Sequence, residues 1–346
     1  LGRFDFMRVP LPAAMITIES GVAVVMMSLS SLDRSWIRWR WIIGAALALL
    51  LAGCSVMRLA YSQAPTLAYW WIDGYVDLDE AQSVRLRDGL DRWFEWHRRA
   101  ELPRYATLLA RAQREVMEPS LSPDQLCAWR DEATRRLDAA LEEATPMAAA
   151  LMLTLTPEQI RHMERKLAKD GAELKHDFAQ PDRSERAKAS FRRTLERYEN
   201  LYGKLDEAQR AKLAELLAAS PFDADRWLTE RERRNRDLIS MLTSVSAAGR
   251  DVDAVRANAQ AQAAVRALAE RQLRSPRPDY RAYQQRLTQE NCALASAMHN
   301  LTTTAQRQHA RNKLKGWEDD VRLIAAGATP AVTGNGNGNA GNGGSR

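Results

Sequence analysis

A chain of 346 residues, 45% hydrophobic and 27% charged, is long enough for one large or two small domains. Fifty basic against forty-four acidic residues give +6; five arginines and three acids lie in residues 1–53, so residues 54–346 carry +4, too mild a surplus to single out a polyanionic partner. Helix formers dominate, glycine and proline are scarce from Glu80 to Ala326 and long β-branched runs are missing, which leaves all-α as the class that fits.

Residues 1–25 have neither a basic start nor helix periodicity. They are expected to be an upstream extension of the reading frame, with translation starting at Met26 or Met27. Residues 26–53 then have the three parts of a secretory signal: basic "RSWIRWRW" with Arg34, Arg38 and Arg40, an apolar run from Ile42 to Ala52, and small residues at its end. That run is shorter than the roughly 20 apolar residues a bilayer span needs. The closing "LAGC" resembles the bacterial lipobox. The resemblance implies cleavage between Gly53 and Cys54 and acylation of Cys54, whose covalent lipid is the only attached group expected. Bacterial lipoproteins usually carry three acyl chains, and two or more hold a protein stably at a membrane where one does not. Ser55, in place of the Asp that retains lipoproteins at the inner membrane, implies the outer membrane, with the protein facing the periplasm. A signal anchor with an incidental cysteine is the alternative. An envelope address also argues against a nucleic acid partner.

Residues 54–78 form an anchor-proximal aromatic segment, "YSQAPTLAYWWIDGY". Trp and Tyr favour membrane interfaces, so it either lies on the bilayer or packs Trp70, Trp71 and Tyr75 on the body as a first layer.

The helical domain is expected over 79–326. Its punctuation is "LTPEQ" at 155, with variants "LDEAQ" at 78 and 205, "LSPDQ" at 121, and the looser "LTQEN" at 287 and "TTTAQ" at 302. Thr, Ser or Asp serves as N-cap, Pro suits the first helical position, and Gln three residues on closes a capping box. An apolar stripe follows each start: Ile160, Met163, Leu167, Gly171, Leu174 and Phe178 after the first, Leu126, Ala133, Leu137, Leu141 and Ala144 after Ser122, and Ala310, Leu314, Trp317, Val321 and Ala325 near the end. Seven to nine helices are predicted, with breaks near Pro103, Pro119, Pro146, Pro181, Ser220–Pro221 and Ser275–Pro278. The unequal motif spacing argues against a solenoid and for an irregular bundle of α-hairpins. The Gly/Asn-rich residues 327–346 read as a disordered tail.

The L-T-x-x-Q element resembles that of the periplasmic stress chaperones and sensors named for it, small helical dimers that bind unfolded proteins. A broader resemblance runs through "YWWIDGYVDLDEAQ", "WHRRAELPRYA", "LSPDQL" and the closing "HNLTTTAQRQHARNKLKGWEDDVRLIA". It is to the bacterial lipoproteins carrying domain of unknown function 6279, over most of residues 54–326. That resemblance implies an address and a fold and brings no catalytic residues.

His97 shares an apolar stripe with Leu86, Leu90, Trp93 and Phe94, and Glu101 follows one turn later. A buried His–Glu pair is either a general acid/base element, the carboxylate raising the imidazole pKa, or a polar pair fixing one helix against another. His162 and His176 lie off the stripe of their helix, and His299 and His309 fall in different helices. Metal-ligand spacing, a P-loop, a nucleophile elbow and a dinucleotide fingerprint are all missing, so no metal is expected. "TERERRNRD" at 229 alternates in sign like a solvated helix face. Cys127 and Cys292 form an even pair in an oxidising compartment, which invites a disulfide. Cys127 sits near the edge of its stripe; Cys292 lies about 140° from the line through Leu287 and Leu294 and must face a second neighbouring helix to pair. Two packed thiols are the alternative. The expected function is binding of an unfolded or envelope protein without catalysis; an envelope enzyme of the cell-wall hydrolase type centred on His97 and Glu101, or a structural tether, are the rivals.

Overall fold

The computed structural model describes residues 56–248 and 253–327, and every regular element in them is helical. The expected leader, Gly53, Cys54, Ser55 and all but Gly327 of the expected tail lie outside the described residues. The helices are α1 (Val56–Val76), α2 (Glu80–Trp96), α3 (Leu102–Glu115), α4 (Pro123–Met152), α5 (Pro157–Phe178), α6 (Arg183–Tyr202), α7 (Glu207–Ala218), α8 (Ala224–Ala248), α9 (Ala254–Leu273), α10 (Pro278–Asn300) and α11 (Thr304–Ala325). Ten of them fall from Glu80 onwards, one more than the predicted range.

Five of the motif sites are helix starts with complete capping boxes: Asp79/Gln82, Ser122/Gln125, Thr156/Gln159, Asp206/Gln209 and Thr303/Gln306. "LTQEN" at 287 is not a start, because it lies inside α10, where Leu287 is buried. Two predicted breaks also fail. Pro103 lacks the N–H that a helical turn needs and crowds the carbonyl four residues back. The chain widens rather than stops: His97–Glu101 is a π-helical turn in which the Leu102 N–H donates to the His97 carbonyl, joining α2 to α3. Pro146 lies on the exposed side of α4, where solvent can serve the carbonyl it leaves unpaired, and the helix runs through it for 30 residues.

Two main cores result. The first collects Val76, Ala149, Leu155, Ile160, Leu242, Val245, Ala261 and Leu268 from the ends of α1 and α4, the α4–α5 connection, and α5, α8 and α9. The second collects Ala106 and Leu109 of α3, Leu201 and Tyr202 of α6, Leu213 of α7, Met298 of α10, and Ala310, Leu314, Trp317 and Val321 of α11. Each buried Val, Leu, Ile or Met side chain among them contributes about 1.5–3 kcal/mol of transfer free energy. The helix α4, roughly 45 Å long at 1.5 Å per residue, connects the two. Its start packs on α10 and its later part on α9 and α2. Gly89 lets α2 and α4 approach closely: a Cβ there would come within 2.6 Å of the Met147 side chain.

The first helix joins this body through Tyr69 and Val76, both buried, while Tyr75 bonds to Asp170 of α5. Trp70 and Trp71 point outward, 60% and 45% exposed. The reading of "TERERRNRD" as a solvated face is corrected. Glu230 is 1% exposed, held by Arg233 at 2.9 Å and Arg234 at 3.2 Å from the same helix, with Arg277 of the α9–α10 turn at 3.8 Å. An alternating charge pattern can thus fold three cations around one buried acid, and a buried charge is tolerated only where partners offset its lost hydration.

Candidate functional site

The two residues expected as a pair, His97 and Glu101, do not bond to each other. The π-helical turn sends them to different partners. His97 Nδ1 shares a hydrogen bond with the Tyr61 hydroxyl of α1, 3.0 Å away. Its ring stacks on Trp93, with centroids 5.0 Å apart and planes 16° from parallel, and meets Tyr105 edge-on at 5.5 Å. Glu101 is fully buried; one of its carboxylate oxygens accepts from Arg104 at 2.7 Å and the other lies 3.8 Å from Arg136 of α4. The expectation that a carboxylate raises the imidazole pKa is therefore overturned. Burial among aromatic rings lowers His97 to about 4, because a desolvated imidazolium loses hydration that rings do not replace. Tyr105 is pushed up to about 12, first by burial and then by the Glu101 charge.

Beside this box lies an open cleft of about 380 Å³ between α1, α2 and the end of α11, lined among others by Arg58, Tyr61, Phe94, Arg98 and Ile324. Tyr61 is the shared wall. Its neighbours in the cleft are mixed charges, and His97 sits behind it.

A second histidine is more deeply buried than the one the stripe pointed to. His299 is 1% exposed. Its Nε2 donates to the Glu118 carbonyl at 2.9 Å; the neutral ring then accepts at Nδ1 from the Tyr202 hydroxyl, also at 2.9 Å. Burial lowers its pKa as well. The signal for it was present but faint: Cys292, Ala295, Ser296 and His299 repeat at three- and four-residue intervals and are all buried. Small and polar residues make that stripe invisible to a search for large apolar ones. His162 lies 3.4 Å from the Gly74 carbonyl, His176 is exposed beside Asp177, and His309 is exposed next to Gly203. Among the described residues no cluster of His, Cys, Asp or Glu has the arrangement to hold a metal ion.

Cys127 and Cys292 are brought together, their Cα atoms 5.5 Å apart and their sulfurs joined. That distance lies within the range a disulfide tolerates. Cys292 is buried and faces the start of α4 rather than the partners of Leu287. Beside it Ser296 donates to the Leu121 carbonyl at 2.6 Å, and the Leu121 N–H donates to Asn300 at 2.9 Å.

The feature that motif reading missed is what the capping glutamines do beyond their own helices. Gln82 and Gln159 exchange amide hydrogen bonds, 3.1 Å and 2.6 Å. The Gln82 amide also donates to the Thr154 carbonyl, and that of Gln159 to the Asp77 carbonyl. Gln209 and Gln306 repeat the arrangement at 2.8 Å and 2.9 Å, reaching the Leu301 and Lys204 carbonyls. In all four cases the carbonyl belongs to the residue two before the partner's N-cap. Two helix starts thus cross with local two-fold symmetry, once in each core.

Residues 74–253, just over half of the chain, match a family of unknown function, DUF6279. The chain belongs to that family. The DUF6279 match takes in the Gln82–Gln159 crossing, His97, Glu101 and Cys127, and stops short of Cys292, His299 and the closing segment that also carried the resemblance. No curated protein and no solved structure matches the chain.

Proposed function

We propose that this DUF6279 protein is an outer-membrane lipoprotein, acylated on Cys54 and facing the periplasm, whose helical body binds an unfolded or envelope protein without catalysis. The observation that carries the non-catalytic part is the employment of the buried histidines. His299 uses both ring nitrogens to tie α10 to α6 and to the loop that follows α3. His97 is half-buried among rings, which lower its pKa to about 4, and a base that weak removes few protons at neutral pH. Glu101, the partner an acid/base mechanism would need, is turned instead to Arg104, which it accepts from at 2.7 Å, and toward Arg136 at 3.8 Å. The anchor rests on "LAGC" behind its apolar run.

Crosslinking in intact envelopes followed by affinity recovery of the mature protein is expected to return a partner protein. A Glu101→Gln variant is expected to recover that partner in proportion to the folded protein present. A Glu101→Gln variant that is folded and normally abundant, yet loses the cellular function, would support the enzyme reading instead.

A further inference from the structure

We infer that α1 lies on the phospholipid bilayer along its outward face, so that the body is held flat against the membrane and does not swing on its anchor. The inference rests on acylation of Cys54. Among residues 57–76 of α1, eight are exposed. Four are large and apolar: Leu59, Leu67, Trp70 and Trp71, between 45% and 60% exposed. The other four are a serine, a glutamine, a threonine and a glycine, so the outward face of this helix carries no charge over 16 residues. A helix that faces water normally carries its charges there. The exposed side of α11 does so, with Arg311, Lys315, Asp319 and Arg322.

The two charges that α1 does have are turned away from that face. Arg58 pairs with Asp320 of α11 at 3.4 Å, and the Asp73 carboxylate accepts from the Leu78 N–H at 3.0 Å. The four large apolar residues fall within an arc of about 120° and extend over about 18 Å of helix axis. Tryptophan at such a rim suits the headgroup level. Next to it, Arg87 of α2 lies 3.5 Å over the Tyr69 ring and 6.0 Å from Trp70, a cation placed to meet a lipid phosphate. No helix among the described residues is long and apolar enough to cross a membrane, so the geometry is that of a helix lying in the interface.

Chain length identifies the occupant. Cys54 precedes Val56 by two residues, and two residues reach at most about 7 Å. An acylated Cys54 therefore brings the first turn of α1 to the headgroups, and the uncharged face starts one turn later at Leu59.

The test uses the mature, full-length protein in phosphatidylethanolamine/phosphatidylglycerol vesicles whose acyl chains carry bromine, which quenches tryptophan on contact. Mass spectrometry of Cys54 and vesicle flotation are read first. Quenching is expected in the acylated protein, and its loss in the Trp70→Phe/Trp71→Phe variant, with unchanged circular dichroism. An acylated protein that floats but shows no quenching overturns the inference and leaves the anchor standing. Quenching that persists in the double variant also overturns it, since another surface then meets the lipid. Emission from Trp70 and Trp71 shielded from aqueous acrylamide but not quenched by bromine would mean that a second copy covers the face. An unacylated Cys54 would remove the anchor, and this orientation with it.

Discussion

The two glutamine crossings use the same letters in different surroundings. At Gln82 and Gln159 both side chains are buried, 2% and 8% exposed, and Thr154 adds a hydroxyl acceptor 3.2 Å from the Gln82 amide. At Gln209 and Gln306 only the first is buried, at 3%, and Gln306 borders solvent. The fifth complete capping box, Ser122/Gln125, has no crossing partner: Gln125 is exposed, and α10 braces the chain there through Ser296, Asn300 and the cysteine pair. A capping box costs little to encode and stabilises only its own helix. Two boxes placed tip to tip also satisfy each other's amides and each other's preceding loop carbonyls. The same motif then acts as a tertiary brace, and one that water can replace only where it is exposed.

Breaking the covalent brace should have the largest effect. Cys127→Ala/Cys292→Ala releases a loop of 165 residues, and the expected loss is about 4 kcal/mol in chemical denaturation, slightly below the chain-entropy value for that length. Protein isolated without reductant should show no alkylatable thiol at either position; two reactive thiols would remove this brace from the comparison. Gln82→Leu comes next. It keeps the volume but removes both hydrogen bonds that Gln82 exchanges with Gln159 in a buried site, and the acceptor of the Asp79 N–H, at a cost of about 3 kcal/mol. Gln306→Ala should cost about 1.5 kcal/mol, because solvent can reach the groups it leaves. Equal losses at Gln82 and Gln306 would show that exposure does not set the strength of a crossing. Gln125→Ala, which removes only the reciprocal half of a capping box, should cost about 0.5 kcal/mol. A loss at Gln125 as large as at Gln82 would mean that the cap alone, and not the crossing, supplies the stability.

Local pattern was sufficient for much of this molecule. The all-helical class, five helix starts, the stripes of α5 and α11 and most of the proline breaks follow from capping chemistry and 3.6-residue periodicity, which act between residues a few positions apart. The two prolines that failed as breaks depended on surroundings that a local reading lacks: a π-helical turn absorbed Pro103, and an exposed position tolerated Pro146. "LTQEN" has the letters of a start, but the upstream Pro278 had already begun α10, and its Leu287 packs into the interior. Side-chain partnership was the least legible level. His97 and Glu101 are four residues apart and unpaired, whereas Gln82 and Gln159 are 77 apart and doubly bonded. Cys292 lies off the main line of its helix, yet meets Cys127 because α10 packs against more than one neighbour. Sequence by itself determined which segments are helices and where most of them begin, since caps and stripes are interactions within one helix. Only the tertiary structure decided which starts cross, which histidine is sealed and which face of α1 is left without charge or cover, because each of those depends on a neighbour that the chain supplies from far away.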